Sequence, residues 1–264
     1  MRKEDVAAYN RRAWDQKVDD GTRWSVPVGP REIADARSGR VEIVLTPVRI
    51  VPEAWLQPLR GRRILALASG GGQQGPLLAA AGADVTVFDA SPAMLGRDRE
   101  VAVREHLALE TVQGDMRDLS AFEAETFDLI VHPVSNCFCP EIEPVWRETA
   151  RVLRPGGELI AGFINPTVLC MDPERAKQGE LVHRYVEPYS DLTSLTAEER
   201  QRFIERNEPL VFGHALEDQI GGQLRAGFVL VDFYSDGYGN ADNPETSAYD
   251  RYLPSFFATR ARKL

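Results

Sequence analysis

A chain of 264 residues with 43% hydrophobic side chains can bury one large α/β domain, and its apolar runs break well before the ~20 residues that would span a bilayer. The formal charge of −9, with basic residues dispersed along the chain, argues against a nucleic-acid substrate unless a partner subunit presents a tRNA. Cys137, Cys139 and Cys170 make no C-x-x-C pair, which argues against a disulfide framework or a metal site, and the charged start MRKEDVAAYNRRAWDQ lacks an apolar signal region, so a cytoplasmic location is expected.

Residues 1–60 are too long for a simple tail. A helix is expected from about Lys3 to Val18, placing Tyr9 against Trp14, and the stretch from Ser25 to Pro30 breaks it. A second helix runs from near Pro30 to Ser38. Pro47, Pro52 and Pro58 punctuate the following segment, where Trp55 and Leu56 anchor a short helix. Tyr9, Trp14 and Trp24 are large apolar groups that must be buried somewhere, and simple packing on the outer sheet is the plain alternative to a role at a site.

The segment from Arg62 to Leu95 reads as a nucleotide-binding βαβ unit. Ile64 to Leu67 is short and apolar enough for a buried parallel strand, and it runs into Gly70, Gly71 and Gly72. Pro76 to Ala83 follows as a helix with Leu77 and Leu78 inward and Gly82 as its C-terminal cap. A second strand, Val85 to Phe88, ends in Asp89. Backbone N–H groups at such a turn face an anionic or polar ligand, and the carboxylate can accept from both hydroxyls of a ribose. Gly70, Gly72 and Gly75 satisfy G-x-G-x-x-G, with Asp89 near the ~20-residue spacing of a dinucleotide site. However, Ser69 stands where an apolar residue normally abuts the first glycine, so a nicotinamide-dependent oxidoreductase and other nucleotide-cofactor enzymes both remain open at this point.

Further landmarks follow in order: a third strand Leu109 to Val112 running into Gln113-Gly114-Asp115-Met116, a strand Phe127 to His132, an amphipathic helix Trp146 to Leu153, then Arg154-Pro155-Gly156-Gly157 and a fifth strand Glu158 to Phe163. In this order, across roughly Arg62 to Pro166, the chain resembles a class I S-adenosylmethionine-dependent methyltransferase of the small-molecule type. LASGGGQQG also resembles a methyltransferase-11-like bacterial subgroup.

The resemblance implies an α/β, Rossmann-like seven-stranded mixed sheet with helices on both faces and an antiparallel last strand. Residues 1–60 would be an N-terminal helical lid closing over the cofactor, 61–166 the S-adenosylmethionine-binding core, 167–210 a substrate-cap insertion after strand five, and 211–264 the rest of the core sheet. Thr196-Ala197-Glu198-Glu199 reads as a capped helix start within the insertion. A helix from about Ala215 to Ala226, broken by Gly221 and Gly222, precedes two strands, Phe228 to Tyr234 and Ser255 to Arg262, at the antiparallel edge.

For the site, the resemblance implies S-adenosyl-L-methionine held by Trp24, Ala68, Ser69, Gly70, Gly72, Gln73, Gln74, Asp89, Ala90, Met94, Asp115, Met116, His132 and Pro133. Asp115 would meet the adenine amino group and Met116 the ring. The family's acidic residue at the end of the first strand is Ala66 here and the following glycine is Ala68, so Ser69, Gln73 or Gln74 would have to hold the methionine end. That departure motivates a third possibility, a non-catalytic cofactor-binding subunit. His132, at the end of strand four beside the switch point, is the candidate general base. It could equally only pack or bond a backbone carbonyl. His106, His183 and His214 are weaker candidates, and Asp128 is expected to orient a neighbouring loop. The expected partner is a small-molecule methyl acceptor, with no nucleic acid or membrane, and the expected state is a monomer or homodimer.

Overall fold

The computed structural model describes residues 2–239 and 248–264. Helix α1 (Lys3–Asp19) buries Val6, Tyr9, Asn10 and Ala13, spaced three to four apart on one face, against Leu210 and Phe212. A 3-10 turn at Arg23–Ser25 leads to α2 (Pro30–Arg37), and α3 (Glu53–Leu56) buries Trp55 and Leu56 as expected. The βαβ unit follows as β1 (Arg63–Leu67), α4 (Gln74–Ala80) and β2 (Asp84–Asp89). Next come α5 (Pro92–Glu105), β3 (Glu110–Gln113), β4 (Phe127–His132), α6 (Glu143–Val152) and β5 (Leu153–Ile164).

After β5 the chain leaves the sheet for α7 (Pro166–Leu169), α8 (Pro173–Lys177) and α9 (Ala197–Glu205). Thr196 caps α9 in a reciprocal box with Glu199, as the sequence predicts. A π turn at Glu217–Gly221 continues into α10 (Gly222–Arg225), followed by β6 (Phe228–Asp236) and β7 (Phe256–Lys263). The expected break at Gly221-Gly222 is instead a widened helical turn, with Gly222 pressed against Trp146. A Cβ there would lie 2.5 Å from the indole, whose N–H donates to the Asp218 carbonyl at 2.9 Å.

The seven strands form one sheet in the order β3-β2-β1-β4-β5-β7-β6. β7 runs antiparallel to both neighbours, and β1 to β5 pair in parallel. Alternation along β1 divides the core. Ile64 and Ala66 pack on the side of α2, α3, α4 and α5, whereas Leu65 and Leu67 pack on the side of α6 and Trp146.

β5 begins earlier than the sequence suggests. Its pairing with β4 slips between Phe127 and Leu129, and that irregularity absorbs Arg154-Pro155-Gly156-Gly157 within the strand. Asp128 accepts the Arg63 N–H at 2.7 Å and pairs with Arg154, tying three strands together, so its role is structural.

Gly75 illustrates how tightly α4 lies on the sheet. A Cβ at this position would fall 2.5 Å from Val87 Cγ2, which neither the helix nor the buried strand can yield. Gly75→Ala is expected to lower the unfolding free energy by about 2 kcal/mol in urea titration. An unchanged midpoint would contradict this close approach.

Candidate active site

The glycine loop at the end of β1 is held from outside by the leader, the segment 2–60 that precedes the first strand. Ala68 adopts a left-handed φ of 47°, and its N–H donates to the Phe88 carbonyl at 2.8 Å. Gly70 has φ 81°, and a Cβ there would meet the Trp24 carbonyl oxygen at 2.9 Å. That same oxygen accepts the Gly71 N–H at 2.9 Å, and the Gly72 carbonyl accepts the Val28 N–H at 2.9 Å. The Gln73 side-chain amide donates to the carbonyls of Arg23 and Val26 at 2.7 and 3.1 Å. From beneath, fully buried Asp98 accepts the Gly72 N–H at 3.1 Å, and burial holds its carboxyl well above the usual range.

Between the loop, the leader and the carboxyl ends of the strands lies a cavity of about 550 Å³. Trp24, Ala68, Ser69, Gly70, Gln73, Gln74, Asp89, Ala90, Met94, Asp115, Met116 and Pro133 line it. Two of the residues predicted from the sequence do not. Both backbone polar groups of Gly72 are engaged, by Asp98 and Val28, so it serves the loop rather than a ligand.

His132 requires the larger correction. It is fully buried behind the cavity wall, with Nδ1 3.0 Å from the Leu67 carbonyl oxygen and its ring edge-on to Trp146. Burial pulls its pKa down to about 4. The carbonyl-bonded, packing role is the one the geometry fits, not that of a general base. His106 and His183 are exposed and lie off the cavity. His214 is buried, with Nε2 at 3.1 and 3.0 Å from the carbonyl oxygens of Asn136 and Cys139.

Asp89 accepts the Ser91 N–H at 2.8 Å through Oδ1, and no cationic side chain among the described residues pairs with it. Its pKa is raised to about 6, chiefly by burial and further by the charge of Asp15 on α1. Asp15 itself accepts from the Ser91 hydroxyl at 2.6 Å and the Ala93 N–H at 3.3 Å, fixing α1 beside Asp89. Asp115 is differently placed. Arg117 donates to it from Nε at 3.0 and 3.1 Å and from Nη2 at 2.6 Å, so the carboxylate is oriented but retains capacity for another donor. Ser69 is 3% exposed and its hydroxyl has no partner.

Aromatic and aliphatic side chains make up much of the remaining wall. Trp14 meets Phe138 edge-on with centroids 4.9 Å apart, and Tyr238 meets Phe256 likewise at 4.9 Å. Leu45, Thr46, Val134 and Ile164 add to the largely apolar lining. Cys137 and Cys139 also face the cavity, as reduced thiols whose pKa values burial raises, that of Cys139 to about 12. Among the described residues no cluster of three or more metal-ligating side chains occurs. Trp14 was visible as a leader aromatic, but no local signal in the sequence brings Phe256 or Thr46 to the same place.

A family model described as a methyltransferase domain matches residues 65–161. An uncharacterized methyltransferase of Bacillus subtilis, YbaJ, is 47% identical over 259 residues, covering 98% of this chain and 99% of the relative. A solved S-adenosylmethionine-dependent methyltransferase from Mesorhizobium loti superposes with a TM-score of 0.61 at 19% identity, covering 80% of this chain and 94% of that one. The chain belongs to the class I S-adenosylmethionine-dependent methyltransferases.

This methyltransferase also shares its fold with the 1,6-didemethyltoxoflavin-N1-methyltransferase of Burkholderia thailandensis, solved with S-adenosylhomocysteine. The TM-score is 0.60 at 15% identity, over 100% of this chain and 91% of that one. The cofactor is S-adenosylmethionine, and the literal dinucleotide motif was the misleading part of the sequence. The site fits the group: among the described residues Asp89 has no cationic partner, the buried Ser69 hydroxyl is orphaned, and both residues line one cavity.

Ionised Asp89 is the form able to accept from a diol on both oxygens. Affinity for S-adenosylhomocysteine, measured by calorimetry, should therefore weaken about tenfold from pH 7 to pH 5 as Asp89 takes up a proton. Asp89→Asn should flatten that dependence, and a wild-type affinity constant across this range would contradict the assignment.

Proposed function

We propose that the methyltransferase moves the methyl group of S-adenosylmethionine in line onto a small, planar, largely apolar acceptor. The observation that carries this reading is the cavity's mixed lining, in which the carboxylates of Asp89 and Asp115 share one enclosure with the aromatic rings of Trp14, Phe138, Tyr238 and Phe256. Aromatic walls favour flat ring systems by stacking and edge contacts, and they exclude water from the reacting atoms.

The cofactor supplies a methyl carbon already activated by a cationic sulfur, so the protein's work is alignment and desolvation. Asp89 takes the ribose hydroxyls. Asp115, braced by Arg117, takes the adenine amino group beside Met116. Of the three candidates for the methionine end, Gln73 has its amide nitrogen bound to the leader and Gln74 accepts the Val44 N–H at 3.2 Å. Ser69 lines the cavity and its buried hydroxyl has no partner, and we assign it there.

No histidine lines the cavity among the described residues, and its two thiols stay protonated at neutral pH. The reading therefore favours an acceptor that brings its own available lone pair, such as a heteroaromatic nitrogen, an amine, or an oxygen or sulfur already ionised in solution. An overall charge of −9 disfavours nucleic acid, and no helix among the described residues is long and apolar enough to cross a membrane. We place the enzyme in the cytoplasm as a monomer or homodimer.

Methyl-tritiated cofactor, offered with a panel of planar heteroaromatics in one reaction and bulk tRNA in another, checks the acceptor class. Label is expected in the small-molecule fraction. Stoichiometric label in tRNA with none in the panel would contradict the proposal.

A further inference from the structure

The N-terminal helix borders the cavity, and one buried side chain joins it to the wall at Phe138, against which the acceptor is proposed to lie. Asn10 is 4% exposed. Its amide nitrogen donates to the carbonyls of Phe138 at 2.7 Å and Leu210 at 2.9 Å, and its amide oxygen accepts the Leu210 N–H at 2.8 Å. Every hydrogen-bonding atom of the amide head is thus used on the backbone of two segments far apart in sequence.

Those two segments are themselves joined. The Phe212 N–H donates to the Cys137 carbonyl at 2.8 Å, and His214 Nε2 lies against the carbonyls of Asn136 and Cys139. The stretch 136–139 carries Cys137, Phe138 and Cys139 into the cavity wall, so residues 208–214 back this wall from behind. Along α1, Asp15 is anchored to Ser91 and Ala93 beside Asp89. Asn10 lies between one and two turns away on the same helix and is anchored to the acceptor wall.

We propose that Asn10 is a positioning residue through which cofactor binding under α1 orders the acceptor wall. A ligand held at Asp89 stabilises the docked helix, and the docked helix holds Phe138 and Leu210 through the three bonds of Asn10. Acceptor recognition is then complete only when the cofactor is in place. This inference rests on the proposed placement of cofactor and acceptor within the one cavity.

Amide hydrogen exchange, followed by mass spectrometry on the full-length protein with and without S-adenosylhomocysteine, tests it once calorimetry has shown the ligand to bind. The ligand should slow exchange about fivefold or more in peptides covering the leader and also in 208–214. In Asn10→Ala the slowing should persist in the leader and disappear from 208–214. Asn10→Asp, which keeps the acceptor for the Leu210 N–H and loses both donations, should read the same way should the alanine variant fail to fold. A bound ligand that leaves 208–214 unchanged in the wild type, or a variant that keeps the effect, overturns the inference alone. Failure of the ligand to bind would instead overturn the cofactor placement beneath it.

Discussion

The rest of this site depends on the backbone pairing between the leader and the glycine loop. Trp24 and Val28 bond Gly71 and Gly72 directly, and Gln73 closes the contact by donating to Arg23 and Val26. A side chain at Gly70 would meet the Trp24 carbonyl, so glycine is required there by the leader and by the loop's left-handed φ together. With these bonds made, the loop is held against the preceding segment, and Trp14 and Trp24 become walls of a cavity, whereas Tyr9 packs against Leu210 and Phe212.

Charge inside the enclosure is unusual. Asp15, Asp89 and Asp98 cluster around the start of α5 and the glycine loop, and no cation among the described residues pairs with any of them. Burying carboxylates without cations is costly unless hydrogen bonds satisfy them. Backbone N–H groups and the Ser91 hydroxyl answer part of that demand, and burial raises the pKa of Asp89 and Asp98 to answer another part. What remains is a site whose electrostatics favour a cationic ligand rich in hydroxyl donors. S-adenosylmethionine has both properties.

Much of this was legible in the sequence because local chemistry recorded it. The apolar run before the glycines, the carboxylate at the end of the second strand and the capping box at Thr196 each imprint a short-range rule, and each appears where expected. The long-range relations left no such mark. Nothing near His132 announces that its ring nitrogen faces the Leu67 carbonyl from behind the wall. Asp98 looks like one more polar residue of a surface helix, yet it turns inward to hold the Gly72 N–H. Asn10 reads as an ordinary helix residue until the fold brings Phe138 and Leu210 to it. Phe256 arrives from the last strand, where it pairs with Ile164 of β5, far away in the chain.

The most direct test of the enclosure is a crystal structure of the methyltransferase with S-adenosylhomocysteine. The account predicts the ribose hydroxyls within hydrogen-bond distance of Asp89, the homocysteine end beside Ser69, and the Trp24–Gly71 and Val28–Gly72 bonds intact over the ligand. A ligand bound outside this cavity, or a leader displaced from the glycine loop to admit it, would contradict the account.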